Sequence, residues 1–226
     1  MHKMILPALL LSLLGSAALA MAQQGDASAR IRFVFENPKL QPANYVLDIH
    51  ENGMGHFHAD PGEIAAVSTD AIAPQAVDMD IQIKEPLRSF LFNTARSHNF
   101  FNVACESTKS KVAFTGKKAL QYAGSDGKGS CTYNWSRDQQ LMKMTDDLIA
   151  VAYTLEVGRR LAVEHEHDRL SLDTELEDLQ SAAKGGRAQQ LQNIAPQLQA
   201  IAEDEKVMER ARSRARQLLG ADGKAT

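Results

Sequence analysis

Residues 105–131 read CESTKSKVAFTGKKALQYAGSDGKGSC, and this stretch begins and ends with the two cysteines of the chain. It contains two β-like runs and a polar, glycine-rich turn at Ser125–Gly129, a composition that favours a reversal of the chain. A bond between Cys105 and Cys131 would close a loop of about 25 residues and stabilise the fold by roughly 3.5 kcal/mol. This spacing predicts a structural disulfide, because redox-active cysteines normally stand two residues apart.

The first 22 residues have the features of a secretory signal peptide. A short basic start at His2 and Lys3 precedes an apolar run over 5–14 and a small-residue stretch that ends at Ala22. We therefore expect residues 1–22 to be removed and the mature protein to be periplasmic or secreted, where disulfides persist. No later segment approaches the ~18 apolar residues of a membrane span, so we expect no span after signal removal.

The composition of the chain changes near Ser136. Before it lie most of the β-branched and aromatic residues, and after it come mainly Leu, Ala, Gln, Glu and Arg. This change predicts an α+β fold. Over 23–136 we expect a β-rich, disulfide-stapled domain, with a small antiparallel β-sheet and one short helix. Over 137–219 we expect an all-helical region of three to four helices, and over 220–226 a flexible tail. The formal net charge of −3 gives no indication of a nucleic-acid partner.

Alternating apolar and polar residues predict the strands, and apolar residues at helical spacing predict the helices. Cys131, Tyr133 and Trp135 should point one way, which predicts a buried tryptophan beside the disulfide. The predicted strands cover 31–36, 45–50, 55–59, 77–83, 111–114, 117–122 and 130–135. A short helix should follow Pro86, a long helix should run from Ser136 or Asp138 to about 166, and further helices should cover 173–184, 191–201 and 203–219.

A reversal at Asn52-Gly53 predicts a hairpin over residues 45–59, and parity decides its register. A loop of three or five residues would place Phe57 and Ala59 on the apolar face with Ile49. An even-numbered loop would move every side chain of the second strand to the opposite face of the sheet. We therefore expect the odd loop, which gathers four polar side chains on the opposite face: Asp48, His50, His56 and His58.

These four side chains are the candidate metal ligands. In a strand, the spacing His56-Phe57-His58 puts both imidazoles on one side. With His50 or Asp48 across from them, imidazoles and a carboxylate suit zinc or copper. The other interpretation is a solvent-facing polar strand face that needs no ligand, and we favour it because the H-x-H spacing alone is common.

A lysine-rich segment is the second candidate binding feature. Its cations could contact an anionic polysaccharide, lipid or nucleic acid. Lysines on an edge strand also prevent aggregation, and we favour this interpretation. The lysines concerned are Lys109, Lys111, Lys117, Lys118 and Lys128.

The chain has no phosphate-binding loop, nucleophile elbow or zinc-protease motif, so the sequence identifies no catalytic residue. Its leading functional hypothesis is a non-enzymatic binding or interaction module of the periplasm or cell exterior, whose long amphipathic helices dock an unknown protein or envelope partner. The alternative is a metal-binding protein or metalloenzyme that uses the histidine face of the 45–59 hairpin. A hydrolase with a dispersed site also stays open, because catalytic triads are spatial constellations.

Overall fold

The computed structural model describes residues 28–61, 75–108 and 112–222. In this part of the chain a six-stranded antiparallel sheet is combined with five α-helices, four of which follow the last strand. The α+β class is confirmed, and the sheet is larger than the small one expected. Its spatial order is β4-β3-β2-β1-β5-β6. The strands are β1 (Arg30–Glu36), β2 (Asn44–His50), β3 (Met54–Asp60), β4 (Val77–Gln82), β5 (Lys117–Gly124) and β6 (Gly127–Tyr133).

The inner face of the sheet forms one core with two helices. Alternate residues of the strands point inward, and large ones such as Phe33, Phe57 and Leu120 are fully buried. Helix α1 (Leu87–Ser97) and the first half of α2 (Gln139–His167) pack on this face. Because both helices cover the same side, the opposite side of the sheet is left for other contacts.

A second core lies among the helices. It is built by the second half of α2 together with α3 (Leu172–Lys184), α4 (Ala195–Glu203) and α5 (Glu209–Asp222). The α2 helix therefore belongs to both cores and joins the sheet to the helical region. Its start is fixed by Asp138, whose carboxylate accepts hydrogen bonds from two backbone N–H groups of the first turn.

The disulfide between Cys105 and Cys131 is present, with the two Cα atoms 5.9 Å apart. Both cysteines are buried in the sheet core. The bond fastens the segment that follows α1 to strand β6. The Ser107 N–H donates to the Trp135 carbonyl at 2.9 Å and extends this attachment beyond the end of the strand. The predicted disulfide is thereby confirmed.

Two details of the predicted sheet are wrong. Residues 112–114 form no strand, because the Asn134 side chain satisfies the backbone there. Its amide donates to the Ala113 carbonyl at 3.0 Å and accepts from the Thr115 N–H at 2.8 Å. Strand β6 ends at Tyr133, so Trp135 lies beyond it and is only partly buried. The expected buried tryptophan is therefore absent from the core.

The helix boundaries also differ from the sequence-based ones. The last helix begins at Glu209 instead of residue 203, because the chain leaves α4 at Asp204 and turns before α5. It then continues to Asp222, into the range expected to be a tail. Among the described helices, none combines the length and apolar character needed to cross a bilayer. The predicted signal peptide over 1–22 lies outside the described residues, as do Lys109 and Lys111.

Candidate functional site

The side of the sheet that faces away from α1 and α2 carries polar side chains, and we call it the open face. Its residues in β1 and β2 are exposed or partly exposed, in alternation with the buried ones. The pairing of the strands aligns these side chains into rows that cross the sheet. One such row runs Asp80, His56, Asp48, Arg32, Gln121 and Ser130.

The hairpin between β2 and β3 has a three-residue loop, one of the two odd lengths predicted. Residues 51–53 connect the strands, and Gly53 adopts a φ of +89°, which glycine reaches without strain. Leu47 then pairs with Phe57 on the inner side of the sheet. The expected register is confirmed, and it places Asp48, His50, His56 and His58 together on the open face.

The two histidines of β3 contact aspartates of β4 and of β3 itself. Nδ1 of His56 lies 3.0 Å from the Asp80 carboxylate, and its Nε2 lies 2.9 Å from Asp78. His58 contacts the other oxygen of Asp78 through Nδ1 at 2.9 Å and approaches Asp60 through Nε2 at 3.4 Å. Asp78 thus bridges both imidazoles. We call these five side chains the imidazole–carboxylate network.

This arrangement favours protonated imidazoles. The hydrogen bond to Asp80 raises the pKa of His56, and the hydrogen bond to Asp78 raises the pKa of His58. Reciprocally, the hydrogen bond from His58 lowers the pKa of Asp78. An imidazole with a carboxylate at each nitrogen donates from both only when it carries the extra proton. The network therefore favours the protonated form of both histidines.

The predicted metal ligands share a face without converging on one point. Arg32 donates to Asp48, and Arg30 lies 3.8 Å from the same carboxylate. Both ring nitrogens of His56 and of His58 already face aspartates. Within residues 28–61, 75–108 and 112–222, no group of three or more His, Cys, Asp or Glu side chains is placed to hold a metal ion. The zinc or copper site stays a prediction.

A cationic cavity lies on the open face over β1, β5 and β6, and we call it the basin. Its volume is about 560 Å³. Within the described residues, no acidic side chain lines it, and no hydrogen bond or ion pair engages the Lys128 ammonium group. Cations and neutral hydrogen-bond donors line it instead: Arg30, Arg32, Lys128, Asn102, Gln121 and Ser130. Such a lining matches the oxygen atoms of an anion.

A left-handed turn shapes one wall of the basin. Asn99, Phe100 and Phe101 have φ values of 49°, 58° and 66°, and the chain then places Asn102 in the lining. Each non-glycine residue in this region costs about 1–3 kcal/mol, and such strain concentrates at functional sites. Gly129 of β6 admits the turn, since a Cβ there would lie 2.5 Å from the Phe100 carbonyl oxygen.

Only part of this site was expected from the sequence. Asp78 and Asp80 share a strand face by their spacing, but nothing local indicates that this strand pairs with β3. The predicted lysine group is separated by the fold. Lys118 is buried on the inner face, where its ammonium group donates to three oxygen atoms, while Lys117 lies 3.2 Å from Glu36. Of the lysines singled out above that the structure describes, Lys128 alone lines the basin.

No protein-family model matches this chain, and a search of curated proteins found no match.

Proposed function

We propose that this protein is an exported, non-enzymatic binding module that takes an anionic ligand in the basin of its open face. The observation that carries this proposal is the convergence of Arg30, Arg32 and Lys128 on one cavity of about 560 Å³. Asp48, in the neighbouring strand, offsets one of these three charges. The basin therefore keeps an excess of positive charge for a ligand.

The chemistry of the lining indicates the kind of anion. A guanidinium group presents a planar fork of N–H donors that matches carboxylate, phosphate and sulfate oxygens. The side chains of Arg30 and Arg32 are 47% and 38% exposed, so donors not used by Asp48 remain accessible. Lys128 approaches from β6 on the far side of β5. A ligand with two or more oxyanion groups can contact both ends of the basin.

The other surfaces of the protein support this choice of site. The apolar sides of α3, α4 and α5 bury one another around Leu176, Leu198 and Ala211, so these helices use their amphipathic faces within the molecule. Within residues 28–61, 75–108 and 112–222, the open face has no such internal partner. The buried disulfide supports a periplasmic or secreted location, because this bond persists in oxidising compartments.

Calorimetry with citrate and pyrophosphate tests the proposal. We expect saturable binding with a Kd of about 1 mM or tighter, weakening as salt rises. Lys128→Gln should weaken it about two- to fivefold, because the variant loses one exposed ion pair. Arg187→Gln is the matched control, since Arg187 is exposed and does not line the basin. Binding that is absent, or that falls equally in both variants, contradicts the proposal.

The metal-binding alternative is tested separately. Zinc and copper analysis of the purified protein should find a stoichiometric ion if His50, His56, His58 or Asp48 are ligands. His56→Ala would then lower the metal content. Absence of the ion, or an unchanged content in the variant, removes this alternative.

A further inference from the structure

A second cavity, of about 600 Å³, lies where the sheet meets the helical region. We call it the junction cleft. Its floor is apolar and is formed by Pro86, Leu87 and Phe90 at the start of α1. The rest of the lining is polar and consists of Lys84, Glu85, Lys143, Asp147, Gln189, Gln190 and Gln192. The volume falls within the range of small-molecule pockets.

The glutamine-rich wall of this cleft is fixed in place by side-chain amides. Gln190 accepts a hydrogen bond from the Lys84 N–H at 2.7 Å, and Asn193 accepts one from the Gln82 N–H at 2.8 Å. On the α2 side, the backbone N–H of Gln189 donates to Thr154 at 2.9 Å. These bonds tie the wall both to the end of β4 and to α2. The cleft is thus preformed, which reduces the entropy cost of binding.

The carboxylates at the cleft already have partners. Asp147 accepts from Lys143 at 2.7 Å and from the Gln189 amide at 2.7 Å. Glu85 at the rim accepts from Arg88 and Ser89. Within the described chain, no hydrogen bond engages the side-chain carbonyl oxygens of Gln189 and Gln192. The acceptors left to a ligand at this wall are therefore neutral amide oxygens.

We propose that the junction cleft binds a small neutral molecule that combines an aromatic ring with N–H or O–H donors. The ring packs on Phe90 and Leu87, where aromatic contact adds to the burial of apolar surface. The donors reach the amide oxygens of Gln189 and Gln192. This site is separate from the basin, so it does not depend on the anion-binding function.

Titrations followed by amide NMR test this inference with three related probes. N-acetyltyrosinamide carries the ring and the donors, N-acetylalaninamide lacks the ring, and N-acetyltyrosine adds a negative charge. We expect N-acetyltyrosinamide to shift the amides of Phe90, Lys143 and Gln189 saturably, with the other two probes binding more weakly. Absence of saturation, shifts confined to other regions, or equal binding of all three probes would overturn the proposal.

Matched variants assign the binding to the cleft. Phe90→Leu keeps an apolar side chain but removes the ring, and it should weaken N-acetyltyrosinamide about two- to tenfold. Phe114→Leu makes the same change at a 63% exposed phenylalanine that does not line the cleft, so binding should stay unchanged. Gln189→Leu leaves the floor unchanged but removes the acceptor together with the hydrogen bond to Asp147, and it should also weaken binding. Wild-type affinity in both cleft variants would overturn the inference.

Discussion

The ring of Phe100 packs so closely on Gly127 that a Cβ added at this glycine would overlap the ring carbons. The ring cannot retreat freely, because it also lies against Tyr122 with the ring centroids 5.1 Å apart. We therefore expect Gly127→Ala to displace the left-handed turn and to destabilise the protein by about 1–3 kcal/mol, as overpacking does. Urea unfolding followed by circular dichroism measures this loss.

Gly220→Ala is the matched control for that change. Gly220 lies in α5, and no atom lies within 4 Å of a Cβ built there. Alanine has a higher helix propensity than glycine, so the variant should leave stability unchanged or raise it by up to about 1 kcal/mol. Equal losses in the two variants would show that the packing of Phe100 is not the cause.

For the hairpin of β2 and β3, the register could be predicted from the sequence, but the partners of its histidines could not. Its register follows from local alternation, because a slip by one residue would expose Phe57 and bury His56 and His58. The aspartates that hold these histidines could not be predicted in the same way. Asp78 and Asp80 reach them through the pairing of β3 with β4, a non-local contact that no short-range pattern encodes.

The basin was beyond prediction for a related reason. Arg30, Gln121 and Lys128 come from three strands, and their meeting depends on the strand order β1-β5-β6. The glycines of the Ser125–Gly129 stretch predicted a turn, and a two-residue turn at 125–126 is present. Their second role, to admit the backbone around Phe100, requires knowledge of what packs on β6.

The disulfide should account for a large part of the stability. A cysteine-free double variant, Cys105→Ala/Cys131→Ala, should lose about 2–5 kcal/mol, because the unfolded chain regains the freedom of the closed loop. Guanidinium unfolding measures the change. The wild-type protein in a thiol reductant provides the comparison and should unfold at nearly the same lowered denaturant concentration. Unaltered stability in both samples would contradict the structural role of the bond.

The imidazole–carboxylate network should make stability depend on pH. Because the folded pKa values of His56 and His58 are raised, their contribution is fully present below the ordinary histidine pKa of about 6.5. It is lost as the pH rises through the raised values. NMR titration of the imidazole protons should show both pKa values above the ordinary one.

Three aspartate variants test the geometry of this network. Asp78→Asn should lower the pKa of both histidines, because this carboxylate bridges them. Asp80→Asn should lower the pKa of His56 alone, and Asp60→Asn should lower the pKa of His58 alone. A uniform response of both histidines to all three variants would indicate a general effect of surface charge instead of these contacts.

Glu164, which lies in the helical region, should also make the stability of the protein fall as the pH rises. Burial, and then the charge of Glu175, raise its pKa to about 7, although Arg160 opposes the shift and Asp168 adds to it. The folded state therefore holds a proton that the unfolded chain releases near pH 4.3, so stability falls as the pH rises between these values. Glu164→Gln should raise the free energy of unfolding by roughly 1–3 kcal/mol at pH 8 and change it little at pH 4. Urea unfolding at the two pH values measures this difference, and Glu166→Gln, at a 76% exposed side chain, should have almost no effect at either.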